Sequence, residues 1–169
     1  DMTLETQIKP QVDHNAYLVA KTKIKGEVPI LPGQVSLFRD GAYIGKTSIS
    51  LLRPKSEHDL SFGIDDQVKV THKTLKDERG ESGVIIGKNT TIERHTVTEI
   101  ENTRSIDVEI AVFQTIPDSK DEKISLKLSE ENTTKGYEKD FNLTKGLLRW
   151  GSPLKPQEKK EINLGWQLS

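Results

Sequence analysis

The strongest constraint on this chain is alternation. In SIDVEIAVFQTI, Ser105 to Ile116, the apolar residues Ile106, Val108, Ile110 and Val112 point one way while Asp107 and Glu109 point the other. That is the two-residue period of a strand with one dry face. The period recurs in AYLVAKTKI (Ala16, Leu18, Ala20, Ile24), in HDLSFGI (Leu60, Phe62, Ile64) with Val68 and Val70 after it, and in KISLKL (Ile124, Leu126, Leu128). GLLRW and EINLGWQL read as a closing pair, the second with Ile162, Leu164, Trp166 and Leu168 on one face. Few windows hold a helical apolar stripe. Roughly nine or ten short strands between turn signals predict an all-β fold, an antiparallel two-sheet β-sandwich, immunoglobulin-like or related. The 169 residues fit one such domain over 1–169.

Turn chemistry sharpens the prediction. In LPGQVSLFRDGAYIGKTSIS, Leu31 to Ser50, Val35 and Leu37 lead into Asp40-Gly41, and Ala42 and Ile44 lead out, which reads as a tight hairpin. Gly33 and Gly41 are expected at positive φ, where a Cβ would clash, and Gly45 at a bulge or a close approach. Gly63 and Asp65 mark the next turn, where the Asp65-Asp66 carboxylates cap backbone N–H groups. Residues 75–91 are polar except Val84, Ile85 and Ile86. They read as a long loop or a projecting hairpin, whose apolar tip either meets a partner or folds back as a short buried strand.

Composition closes several functional classes. Lys plus Arg is 25 and Asp plus Glu is 26, so no basic excess favours nucleic acid. Without cysteine there are no disulfides, thiolate nucleophiles or Cys-ligated zinc. No apolar run approaches the ~20 residues of a membrane span. The polar opening DMTLETQIKP, starting at Asp1, reads as a processed or excised piece. His14, His58, His72 and His95 form no HxH or HExxH pair, and there is no GxSxG elbow, P-loop, GxGxxG or EF-hand loop. The expectation is therefore no catalytic residue, no metal and no cofactor. Trp150, Trp166 and Tyr43 are the candidates to stack on a sugar, against the competing reading that the tryptophans fill the core. Sequons start at Asn89, Asn132 and Asn142.

The chain also resembles a known family. IKPQVDHNAYLVAKTKI carries Pro10, Val12, Asp13, Ala16, Leu18 and Ala20 in a Pro-x-Leu/Val-Asp-x-x-Ala-x-Leu-x-Ala run. Leu31-Pro32-Gly33, then Phe38, Asp40, Gly41 and Gly45, then Phe62-Gly63-x-Asp65 before Val68 and Val70, follow in order. Ile116-Pro117 with Ser119, and Gly146-x-Leu148-x-Trp150, extend the match through the second half. This is similar to the C-terminal domain, of unknown function, of the mucoidy inhibitor A family. Departures are Pro54-Lys55-Ser56-Glu57 and Pro156-Gln157-Glu158 where the family often has Pro-Gly-Glu, and no closing Trp-Pro follows Ser169. The resemblance implies a C-terminal piece of a longer chain with an N-terminal β domain and a helical or coiled-coil middle.

The resulting expectation is a non-catalytic interaction or scaffold module of an envelope-associated or secreted protein. Its partner would be a protein or the rest of its own chain, with no nucleic acid and no membrane insertion. The alternatives are a carbohydrate-binding module contacting polysaccharide and, behind it, a hydrolase with a dispersed site.

Overall fold

A computed structural model of the chain describes residues 2–39, 41–82, 89–119 and 124–169. Among the described residues, ten of twelve strands form two sheets. The first holds β1 (Met2–Ile8), β2 (Ala16–Lys23), β5 (Glu57–Ile64), β8 (Val108–Thr115), β10 (Glu138–Lys139) and β11 (Leu147–Leu154), in the order β10-β11-β8-β1-β2-β5. The second holds β6 (Val68–Ser82), β7 (Asn89–Asn102), β9 (Leu126–Leu128) and β12 (Lys159–Leu168), in the order β6-β7-β12-β9. The remaining pair, β3 (Gly33–Arg39) and β4 (Ala42–Ile49), makes a two-stranded sheet of its own. The architecture is all-β and mostly antiparallel, as the alternation predicts. The exception is β1, which pairs in parallel with β8 through Thr6↔Ile110 and Ile8↔Val112.

The inner faces close on one apolar cluster. Ile8, Ile110, Val112, Leu148, Trp150 and Leu154 of the first sheet meet Val68, Ile100, Ile162, Leu164 and Trp166 of the second. One corner of the sandwich is pinned by polar groups rather than by packing. Asn102 is wholly buried. Its Nδ2 donates to the carbonyls of Ile106, Leu154 and Lys155 at 2.9–3.1 Å, while its Oδ1 accepts from the Arg104 backbone N–H at 3.0 Å. One side chain thus ties the end of β7 to the end of β11, with both ends of its amide hydrogen-bonded.

Three expectations need correction. The hairpin of Leu31 to Ser50 is not part of either sandwich sheet. It stands off as an arm, joined at its base by the Ile30↔Leu52 bridge. Gly33 has no positive φ. It is the first residue of β3, paired with Ile49, where extended backbone suits any residue. Gly41 does adopt φ +80°, and Gly45 sits at φ +146° where the register slips between Leu37 and Phe38. Asp40 lies outside the described residues.

The third correction is at Ile64, which does not share a face with Leu60 and Phe62. The pairing β2–β5 runs Val19↔Ser61 and then Tyr17↔Ile64, so one strand carries an extra residue there, with Gly63 at φ +83°. A one-residue bulge inverts every later side chain. Ile64 turns outward and is 56% exposed, whereas Asp65 turns inward and is 1% exposed. Its carboxylate then meets the Arg104 guanidinium at 2.5 Å and accepts the Gln67 N–H at 3.3 Å. At the other end of the alternation, Ile106 lies before β8 in the corner loop and is exposed for that reason.

Candidate functional site

The outer face of the first sheet carries the chemistry. On β1, Glu5 and Gln7 have the parity opposite to the core residues Thr6 and Ile8. On β8, the same outward parity gives Ala111 and Phe113, and on β11 it gives Leu147, Arg149 and Gly151. Arg149 lies across the small residues of this face. A Cβ at Gly151 would come within 2.7 Å of its Nη1, so the glycine leaves the space the guanidinium fills. From there Arg149 reaches Glu5 at 2.5 Å and Glu138 at 2.6 Å, and Lys21 closes on Glu5 at 3.1 Å. Two acids and two bases make a neutral tetrad over β2, β1, β11 and β10. Burial works to raise the Glu5 pKa, but hydrogen bonds from Arg149 and then Lys21 outweigh it and hold the carboxyl below its ordinary range. Burial likewise works against the Arg149 charge, and Glu5 and then Glu138 reverse it, raising the guanidinium further.

Beside the tetrad lies a groove of about 540 Å³, lined among others by Gln7, Lys9, Lys21, Asp59, Phe113 and Phe141. It runs into a second hollow of about 460 Å³ beneath Asp13, Tyr17 and Ser61, which shares Gln7, Lys9, Val12 and Asp59 with it. Phe113 and Phe141 pack at 5.7 Å between centroids, tilted by 58°. Arg149 stands 5.2 Å from the Phe141 ring and Lys9 Nζ 6.0 Å from Phe113. Gln11 is spent on backbone, accepting from Thr115 N–H at 2.6 Å and donating to its carbonyl at 2.9 Å. This fastens the β1–β2 loop as one wall. Asp13 accepts the Tyr17 hydroxyl at 2.6 Å and the Asn15 N–H at 2.9 Å; both bonds lower its pKa, and the first raises that of the phenol. The opposite wall is the turn at Phe141–Leu143, where Asp140, Asn142 and Leu143 adopt φ of 53°, 50° and 60°.

The residues singled out from sequence fall elsewhere. Trp150 and Trp166 are 4% and 8% exposed. Trp150 donates to the Thr134 carbonyl at 2.8 Å, and Trp166 lies under the Arg94 guanidinium at 5.7 Å. Both belong to the core cluster between the sheets, and Trp166 also borders a hollow of about 260 Å³ with Lys127, Leu128 and Asn132. Tyr43 is on the arm, edge-on to Phe38 at 5.6 Å, far in sequence and fold from both tryptophans. Residues 75–82 and 89–91 belong to the long β6–β7 hairpin, paired out to Ser82↔Asn89, rather than to a loop. Val84, Ile85 and Ile86 lie outside the described residues. The structure brings two histidines together, His14 and His72 at 6.0 Å between centroids. His72 Nδ1 lies 2.9 Å from Thr98 Oγ1, and burial and then the neighbouring His14 lower its pKa. His58 is held by the Arg53 carbonyl and His95 by Asn163. Among the described residues no group of three metal-ligating side chains forms.

Sequence reasoning missed the groove, although one signal for it was present. Phe113 stands at the solvent parity of SIDVEIAVFQTI, in line with Asp107 and Glu109, where a lone strand would expose it. An aromatic at that parity marks a second covered face.

Comparison with known proteins places the chain without assigning it a role. It is 28% identical over 142 residues to Protein F37C4.5 of Caenorhabditis elegans, an alignment covering 82% of this chain and 25% of that protein. The chain thus spans about a quarter of the length of that curated relative. No solved structure matches it. The family described as Domain of unknown function (DUF4139) matches residues 4–169, nearly the whole sandwich with its arm, and the chain belongs to that family.

Proposed function

We propose that this chain is a non-catalytic interaction module of the mucoidy inhibitor A type, working outside the cytoplasm and binding a protein partner through the β3–β4 arm. The observation that carries this reading is the arm itself. Phe38 and Tyr43 pack against each other near its tip, yet remain 59% and 55% exposed. Val28, Ile30 and Leu31 continue the exposed apolar surface at its base. A two-stranded ribbon is marginal by itself in water, and this one contributes nothing to the core cluster. Exposed aromatic and aliphatic side chains grouped on one projection are the surface expected of a protein contact.

The charged groups support the same reading from the other side. Arg149, Glu5, Lys21 and Glu138 are ion-paired with one another, as are Arg104 and Asp65. These pairings tie the charged groups of the body into the fold. A photo-crosslinking residue at position 43 tests the proposal in envelope extracts, with the same residue at Glu161 on the body as control. One discrete adduct from position 43, lost in a Phe38→Ser chain, supports it. Turnover of a substrate by the purified chain, with no arm-specific adduct, overturns it. Fractionation of source cells tests the location.

A further inference from the structure

The arm leaves the outer groove of the six-stranded sheet unused. We propose that this groove binds a short, uncharged oligosaccharide, laid across the strands and held by side chains alone. The groove crosses β11, β8, β1, β2 and β5 through Leu147, Phe113, Gln7, Val19 and Ser61. Five adjacent strands at roughly 4.8 Å spacing make a track about 19 Å long. Its two hollows, about 540 and 460 Å³, lie within the size range of small-ligand sites.

Charge selects a neutral occupant. Lys9 and Lys21 line the track with Asp13 and Asp59, two of each sign, and Lys21 and Asp13 are already engaged by Glu5 and Tyr17. Neither a polyanion nor a polycation gains a net field there. Backbone geometry disfavours a strand-adding peptide over most of the track. From β11 to β2 the floor is the face of strands that pair on both sides, and only β5 at one end is an edge. Recognition must come from Phe113 and Phe141, from the Gln7, Asn142, Thr144 and Ser61 polar groups, and from Lys9 and Asp59. Aromatic rings interleaved with amides, hydroxyls and a carboxylate offer apolar surface for the C–H faces of sugar rings and partners for their equatorial hydroxyls.

The rim is built for this at a cost. Asp140, Asn142 and Leu143 all hold left-handed backbone, and the Leu143 side chain is 100% exposed. The turn is kept by Asp140 Oδ1, which accepts the Gly146 N–H at 2.7 Å. Strain held by surrounding bonds beside a groove is the pattern of a ligand clamp.

The test is an amide-shift NMR titration of the purified chain with cello-, malto-, manno- and chito-tetraose. The expected result is saturable shifts at Gln7, Thr115, Phe141 and Asn142 with at least one of these sugars. Gln7→Ala and Phe141→Ala, each checked for folding by near-ultraviolet circular dichroism, should weaken binding at least tenfold, and Phe38→Ser should not change it. No shifts with any of the four, or shifts unaffected by both groove variants, would overturn the assignment. So would tighter binding of an unrelated peptide or of inorganic phosphate to the same residues. Because the groove and arm variants are disjoint, failure here leaves the arm reading standing, and the converse holds too.

Discussion

Arg149 shows how a single side chain can be both needed and costly. Its head sits among two carboxylates on a face where Glu5 is only 11% exposed, so removing it takes away the shorter of the two cation contacts to that carboxylate and leaves it to Lys21. Arg149→Met is expected to lower unfolding free energy by about 2 kcal/mol, read from urea midpoints at constant m-value. The sign of the pH effect follows from the depressed Glu5 pKa. The stability it contributes is present above the ordinary carboxylate value and is lost as pH falls through the lower folded value. Glu5→Gln should therefore flatten the acid limb of the stability curve below about pH 4.5. Asn102 makes the second residue-scale prediction. Asn102→Ala removes four hydrogen bonds, of which the one to the Leu154 carbonyl is fully buried and the others part-buried, for an expected loss of about 2 kcal/mol. A thermal midpoint within 2 °C of the parent would contradict this account.

Two hairpins extend the sandwich, and they are attached differently. β6–β7 enters the second sheet directly, and its inner residues Val68 and Ile100 are core. β3–β4 is inserted between the neighbours β2 and β5, beyond the Ile30↔Leu52 bridge. Its removal should then be nearly free. Replacing residues 32–50 by Asn-Gly places a two-residue turn one pair beyond that bridge, a length suited to type I′ geometry. The shortened chain is expected to keep its β spectrum and to change in stability by less than about 1 kcal/mol. Loss of cooperative unfolding would show that the arm is part of the fold rather than an appendage to it.

At the scale of the whole molecule, the half-buried His72 links stability to pH. His72 titrates below its ordinary value because burial disfavours the imidazolium, with His14 beside it adding to the effect. The unfolded chain then takes up that proton first as pH falls, so stability declines from about pH 7 downward through the ordinary histidine value. His72→Gln should remove that part of the decline, seen as a smaller difference between urea midpoints at pH 7.5 and 5.5. Alternation alone determined the class of fold and the main strands of the core, but it left both tryptophans open between the core and a sugar. Period two is enforced locally by the pleat and by which side chains avoid water. It could not reveal the bulge at Gly63 that sends Ile64 out and Asp65 in, because an extra residue in one strand is defined only against its partner. Nor could it reveal that β1 lies beside β8, or that Phe113, Phe141, Gln7 and Asp59 share one groove. Those residues come from distant stretches of chain, and only the order in which the strands hydrogen-bond decides which side chains become neighbours.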